Sequence, residues 1–436
     1  MRAEKPLATA SRDDSPREGD SSPGAGADLG GWLRYISAAH PKAWDLGLER
    51  VRLVAERMNL LDRGDCTFVI VAGTNGKGST CVSIERILLA HGRSVGCALS
   101  PHLHKFNERI RIDGVEAADE EIIRAFAEVE RMRGETTLTY FEYATLATLW
   151  CFRRAWVDVA ILEIGLGGRL DAFNIIDAEI AIITSIGIDH VDYLGDDLDG
   201  IGREKAGVMR PGQQVVLGRE LPGSVIGEAT RLRTHVQALD ADIRYSVNGE
   251  RWSLQIGAEN LDDLPVPALP MSNCALASAA AGQIVELDRK TLSGALAEVH
   301  MAGRFEKRSA RGRSWLLDVA HNPLGAAFLH SELVDKNVAA GGRIVAVYGA
   351  LRDKDIGGVI SVLEELIDDW VLVSTGGPRG LNAADLAQRA GLADVLLCDD
   401  LEQAVEAACS LSEQSDVILV FGSFSVVERA RLALIS

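Results

Sequence analysis

The sequence predicts an α/β protein of two domains, each built on a mostly parallel sheet. Three observations carry this expectation. Apolar, β-branched runs that close on glycine alternate with segments whose apolar residues fall at helical spacing, the pattern of a doubly wound sheet. The alternation comes in two series, divided near residues 297–303. The chain, at 436 residues, is also longer than one ordinary core organises.

Each element follows in order. The first 28 residues, rich in Ser, Gly, Pro and charge, lack the apolar stretch of a signal peptide and read as a disordered tail. The first domain is expected over 29–298 and the second over 299–436. TFVIVAG (67–73) reads as a buried strand, and STCVSIERILLAHG (79–92) as a helix stopped by Gly92. VDVAILEIG (157–165) and EIAIITSIG (179–187) read as strands, and QQVVLG (213–218) as a weaker one. The stretch ENLDDLPVPALPMSN (259–273), with three prolines, reads as a loop. In the second series SWLLDVA (314–320), RIVAVYGA (343–350), DWVLVST (369–375), DVLLC (394–398) and DVILVFGS (416–423) read as strands. LGAAFLHSELVD (324–335), IGGVISVLEELID (356–368) and LEQAVEAAC (401–409) read as the helices between them.

Composition narrows the function. Hydrophobic residues at 47% and charged residues at 25% are ordinary for a globular chain, and no apolar run approaches a membrane span. A cytoplasmic protein is expected. The formal charge of −18 argues against a general nucleic-acid binder, which needs Lys and Arg to neutralise phosphates. It also means that an anionic substrate must find its positive charge locally. Seven scattered cysteines without a C-x-x-C pair read as reduced thiols.

The segment AGTNGKGST (72–80) lies between a predicted strand and a predicted helix, the context of a phosphate loop. It misses the common G-x-x-x-x-G-K-[ST] form. Ala72 stands where the first glycine belongs, and Gly78 separates Lys77 from Ser79 and Thr80. Gly73, Gly76 and Gly78 still let backbone N–H groups close on phosphate oxygens, and Lys77 is placed for the terminal phosphates. Glu163 ends one predicted strand, and Asp189 and His190 follow another. Ligands of open α/β sheets bind at such strand ends, so a magnesium–nucleotide site is one reading. The bland readings are a tight turn for the loop, an ion-pair partner in Glu163 and a helix cap in His190.

A set of strings occurs together in chain order: GTNGKGS, LSPHLHKFNERIRIDG (99–114), TYFEYATLATLW (139–150), ILEIGLGGRLDAFNII (161–176), TSIGIDHVDYLG (184–195), GREKAG (202–207), AGRFE (302–306), DVAHNP (318–323), RDKD (352–355) and FGSF (421–424). From about Leu29 to the C-terminus the sequence resembles the folylpolyglutamate synthases, and more closely the bacterial bifunctional dihydrofolate synthase/folylpolyglutamate synthases of the Mur ligase superfamily. The resemblance implies an N-terminal P-loop ATPase domain, a smaller C-terminal Rossmann-like α/β domain, and an active site in the cleft between them. In that family a glycine separates the loop lysine from the hydroxyl residue, as it does here.

The resemblance also implies roles. Thr74, Asn75, Gly76 and Lys77, continuing through Gly78 and Ser79, match the ATP phosphate loop. Ser100, Glu163 and His190 match protein ligands of two Mg²⁺ ions. Lys205 matches a lysine that the family carbamylates, although by itself it reads as a surface cation on a helix. Asn273, Arg304 and Asp318 match contacts to the base, phosphates and ribose, and His321 would lie beside the transferring group. Leu46, Gly47, Leu48 and Glu49, Thr139, Tyr140, Phe141 and Glu142, and Leu170, Asp171 and Ala172 match the pterin site. Phe141 would stack on the ring and Asp171 would accept from its N–H groups. The family's usual DATN is DAFN here, with Phe173 for threonine. The implied substrates are ATP, L-glutamate, dihydropteroate, and tetrahydrofolate with its polyglutamates. Neither nucleic acid nor membrane is implied, and a monomer is expected. Polyglutamylation alone and a Mur-type ligase acting on a cell-wall nucleotide share most of these features. A nucleotide switch is disfavoured by the lack of an N-K-x-D segment, and a purely structural loop would leave the chain without ATP binding.

Overall fold

The computed structural model describes residues 23, 26–41, 45–338 and 341–434. Apart from residues 23 and 26–28, the tail expected over 1–28 lies outside them. Asp28 caps the first helix, Leu29–Ala38, accepting from the Gly31 N–H at 2.7 Å.

The first sheet has eight strands in the order Val115–Glu116, Ile110–Ile112, Val95–Ala98, Val159–Glu163, Thr67–Ala72, Ile180–Ile183, Gln214–Leu217, His235–Ala238. The first two pair antiparallel, and the six from Val95–Ala98 onward are parallel. Side chains alternate across the central strand. Phe68, Ile70 and Ala72 pack toward helices Asp119–Arg133 and Tyr140–Ala155, while Val69 and Val71 pack toward Lys77–Ala90 and Met271–Ala281. Two buried faces explain why these strands read as continuous apolar runs.

The stretch read as a loop over 259–273 is not one. Glu259–Pro265 is the edge strand of a three-stranded antiparallel sheet with Arg251–Ile256 and Ile243–Asn248, and a helix starts at Met271. Trp252 pairs with Leu264 but Leu254 with Leu261, so a register shift interrupts the ladder. Asp263, with φ +58°, lies in the irregular stretch. The shift sets the buried Leu261 and Leu264 three apart, which erases the period-two pattern.

The second sheet has six strands in the order Glu306–Ala310, Arg313–Leu317, Val417–Phe421, Ile344–Tyr348, Asp369–Val373, Leu396–Cys398. Only the first pair is antiparallel. Helices Pro323–Asp335, Ile356–Leu363 and Ala383–Ala390 cover one face, and Leu401–Leu411 and Phe424–Ala433 the other. The loops after several central strands of both sheets open into one cleft. All seven cysteines are free thiols. Among the described residues, no helix is long and apolar enough to cross a membrane.

Candidate active site

The cleft encloses about 840 Å³ and takes its walls from both sheets. The glycine loop forms its floor. Gly76, at φ +83°, begins the helix Lys77–Ala90, and a methyl group there would fall 2.6 Å from the Asn273 side-chain oxygen. A side chain at Gly73 would meet Thr184 Oγ1 at 1.9 Å. The next strand end fixes the loop's path. The Thr74 N–H donates to Ser185 O at 2.7 Å, and the Asn75 N–H to Ser185 Oγ at 3.0 Å. Lys77 Nζ donates to the carbonyls of Gly73 and Thr74, each at 3.1 Å. Desolvation pushes its pKa down.

Lys205 is not the surface cation that its position in the sequence suggests. Helix Leu198–Ala206 turns Ile201, Gly202, Lys205 and Ala206 inward, leaving Lys205 4% exposed. Its ammonium donates to the Gly73 carbonyl at 2.9 Å. Burial, and then the Lys77 charge, lower its pKa to about 7. A large fraction of this amine is therefore neutral and nucleophilic near neutral pH.

Glu163 ends its strand buried, and its Oε2 accepts from the Ser100 N–H at 2.7 Å. Burial raises its pKa, opposed first by Lys77. Among the described residues no cation lies within 4.0 Å of it, so it is not an ion-pair partner here. The Ser100 hydroxyl is buried without a hydrogen-bond partner, an orphan that a cation would satisfy. His190, at φ +52°, precedes the short helix Val191–Leu194 without a side-chain capping bond. It lines the cleft, where desolvation, joined by the charges of Lys354 and Lys77, outweighs Asp189 and lowers its pKa to about 4. The imidazole is thus neutral and free to offer a lone pair. Among the described residues, no group of three or more His, Cys, Asp or Glu is placed to hold a metal. The donors gathered here are instead mixed: a hydroxyl, a carboxylate, an imidazole and an amine.

The second domain supplies the opposite wall. The Arg304 guanidinium lies 4.9 Å from the centre of the Phe424 ring, and Asp318 accepts from the N–H groups of Phe305 and Ala320, both at 2.8 Å. Burial raises the Asp318 pKa. His321 sits with Nδ1 2.8 Å from Val319 O and Nε2 3.2 Å from Asp189 Oδ2. Asp189 also accepts from Lys354 Nζ at 2.6 Å and Asn322 Nδ2 at 2.9 Å. Burial alone would raise the Asp189 pKa, but His321 and Lys354 hold it far below the usual carboxylate range. Asn75 and Asn322 exchange amide hydrogen bonds of 2.9 and 3.2 Å across the cleft. Sequence reasoning did not single out Asn322 or Lys354. Their only signal was membership of the DVAHNP and RDKD strings.

The predicted pterin side is mostly assembled. Phe141 meets Phe173 edge-on, with ring centres 5.9 Å apart, and packs so close to Gly165 that a methyl group there would come 2.6 Å from the ring. Thr139 and Glu142 form a capping box that starts helix Tyr140–Ala155, and Glu142 lies 3.1 Å from Arg50. Asp171 accepts from the N–H groups of Gly165, Leu166 and Phe173 at 2.9–3.0 Å, and burial raises its pKa to about 6. Leu46, Gly47, Tyr140, Leu170 and Ala172 line the cleft. Leu48 and Glu49 do not. They open helix Glu49–Arg57 instead.

Residues 71–217 match the Mur ligase middle domain, and residues 303–424 match the glutamate ligase domain of Mur ligases. The chain is 41% identical over 408 residues to the dihydrofolate synthase/folylpolyglutamate synthase of Escherichia coli, covering 93% of this chain and 95% of that one. The chain belongs to the dihydrofolate synthase/folylpolyglutamate synthase family of Mur ligases. The enzyme of that name from Haemophilus influenzae is 39% identical, with 92% of this chain and 97% of the relative covered. The fold agrees with solved members of the family. Escherichia coli FolC in complex with DHPP and ADP superposes with a TM-score of 0.90 at 40% identity, covering 95% of this chain and 99% of that one. The Yersinia pestis bifunctional folylpolyglutamate synthase/dihydrofolate synthase complexed with AMPPNP and Mn ion gives 0.89 at 41% identity, covering 95% and 100%.

Proposed function

We propose that this family member joins L-glutamate to dihydropteroate, forming dihydrofolate, and to tetrahydrofolate and its polyglutamates, using ATP. The observation that carries the reading is the meeting, in one cleft, of the glycine loop, the mixed donor set and the Phe141 pocket. ATP phosphates lie along Thr74 to Ser79, with Asn273 toward the base and Asp318 toward the ribose. The substrate carboxylate attacks the γ-phosphorus, a P–O bond forms, ADP leaves, and an acyl phosphate results. Two anions must meet in this step, so local positive charge dominates the energetics. Lys77 supplies it from the first domain and Arg304 from the second. Two Mg²⁺ ions, held by Ser100, Glu163, His190 and a carbamate on Lys205, would add further charge neutralisation. The orphaned Ser100 hydroxyl, the neutral His190 and the low Lys205 pKa favour that donor set, because a neutral amine can add to CO₂ and become an oxygen ligand. The glutamate amine then attacks the acyl carbon, and phosphate leaves from the tetrahedral intermediate. His321, oriented by Val319 and Asp189, stands beside the reacting groups.

The two domains divide at residue 298. Both wall one cleft within a single chain, so the monomer is the catalytic unit. The test is phosphate release from ATP with Mg²⁺ and L-glutamate, comparing dihydropteroate, tetrahydrofolate and no acyl substrate. Release with both substrates and not without is expected. Release with tetrahydrofolate alone would reduce the activity to polyglutamylation, and release without either would remove the ligase reading.

A further inference from the structure

Two guanidinium groups in the cleft, Arg109 and Arg304, have no carboxylate within 4.0 Å among the described residues. Arg304 belongs to the phosphate site. Arg109 has no task in the chemistry set out so far. Two other cations that line the cleft are already engaged: Lys354 pairs with Asp189 at 2.6 Å, and Lys77 is held by two carbonyls.

The surroundings of Arg109 orient its charge and only partly offset it: burial outweighs Glu163 and Glu108, which act on it from a distance. Its Nε donates to His102 Nδ1 at 2.7 Å. To accept there, the imidazole must be neutral. The guanidinium lies 5.7 Å from the Tyr140 ring centre and 5.8 Å from that of Phe106, so aromatic walls hold its plane. Neither terminal nitrogen, Nη1 nor Nη2, has a protein hydrogen-bond partner among the described residues. A partly buried cation arranged this way costs desolvation energy that Glu163 and Glu108, neither within 4.0 Å, offset only in part. An anion entering the cleft would offset it, and a planar fork favours a carboxylate. The position selects which anion. Tyr140 adjoins the pterin-stacking Phe141, and Arg109 and Ser100 line the same cleft.

We propose that Arg109 is a substrate-binding residue that grips a carboxylate of the pterin-bearing substrate, with His102 fixing its orientation. This rests on the ligase reading above. The carboxylate has two sources. One is the reacting carboxylate, which dihydropteroate and tetrahydrofolate share in kind. The other is the non-reacting carboxylate of the terminal glutamyl group, which dihydropteroate lacks.

The experiment is steady-state kinetics of full-length wild type, Arg109→Gln and Arg109→Lys, varying each of the three substrates in turn. Wild-type activity with both pterin substrates checks the ligase reading independently. Arg109→Gln is expected to raise the KM for the pterin-bearing substrate about tenfold or more, the loss of one charge-assisted pair. The KM values for ATP and L-glutamate should stay within about twofold of wild type. Arg109→Lys should recover part of the loss, since it keeps the charge without the fork. A rise with both pterin substrates identifies the reacting carboxylate, and a rise with tetrahydrofolate alone the non-reacting one. Calorimetric binding of an ATP analogue reports whether each variant is folded. In an active wild-type background, unchanged pterin KM values, or a rise confined to L-glutamate, would overturn the proposal.

Discussion

Lys77 and Lys205 illustrate how much a single side chain depends on its surroundings. Lys77 turns back onto the carbonyls of Gly73 and Thr74, so its amine lies within the loop proposed to receive phosphate. Lys77→Ala should lower turnover by about 100-fold or more, the scale of losing one electrostatic donor from a dry site. Circular dichroism and melting should stay near wild type, and near-normal phosphate release would count against the loop's role. Lys205 sets a pH dependence. Its pKa is lowered from the ordinary lysine value to about 7, so the protonated form dominates below that pH and the neutral amine above it. Carbamylation needs the neutral amine. At a fixed concentration of dissolved CO₂, reactivation of CO₂-stripped enzyme should therefore be faster at pH 8 than at pH 6, by a factor approaching ten. Lys205→Ala should lose activity and regain part of it with added short carboxylates, and an equal response at both pH values would argue against the carbamate. Nothing in GREKAG reveals that Lys205 is buried. The helical period places it on the inner face only once Ile201 and Ala206 are known to pack.

At the scale of the element, the strands that position the site were legible because both of their faces are covered. TFVIVAG, VDVAILEIG and EIAIITSIG contain the strands Thr67–Ala72, Val159–Glu163 and Ile180–Ile183. The glycines that close them mark where the chain leaves the sheet, and hence where ligand groups gather. The edge strand Glu259–Pro265 was not legible, since a register shift removed its alternation and its prolines imitated a loop. The turn at Gly76 gives this scale its prediction. Gly76→Ala combines a left-handed φ of +83° with a 2.6 Å approach to Asn273. It should weaken binding of an ATP analogue by about tenfold or more, from roughly 1–2 kcal/mol of backbone strain and a displaced Asn273. Calorimetric titration checks this, and unchanged affinity would show that the loop tolerates a side chain there.

For the molecule as a whole, Asp189 is a meeting point of the two domains. Its partners His321, Asn322 and Lys354 all come from the second domain, and Lys354 lies 165 residues away in the chain. Local periodicity carries no trace of a pairing at that distance, so sequence reading found Asp189 and His321 separately and missed Asn322 and Lys354. Both members of the Asp189–Lys354 pair are buried, at 9% and 7% exposure. Lys354→Met would remove the ion-pair partner of Asp189 and leave it with His321 and Asn322, so the cost should fall below the about 3–5 kcal/mol of a fully uncompensated buried charge. Denaturant unfolding should register the loss, and small-angle scattering should report a more open ligand-free molecule. A variant as stable and compact as wild type would mean that other contacts hold the domains together.

The carbonyl of Gly73 accepts from the Nζ groups of both Lys77 and Lys205, so two amines that repel when both are protonated converge on one oxygen. Addition of CO₂ at Lys205 would turn one of them negative and convert repulsion into attraction. If that carbamate forms preferentially in the native state, linkage would make the fold more stable as dissolved carbon dioxide rises. The melting temperature of the nucleotide-free protein should rise with bicarbonate and should not respond in Lys205→Met. The air a solution has been exposed to would then become a variable of this protein's stability.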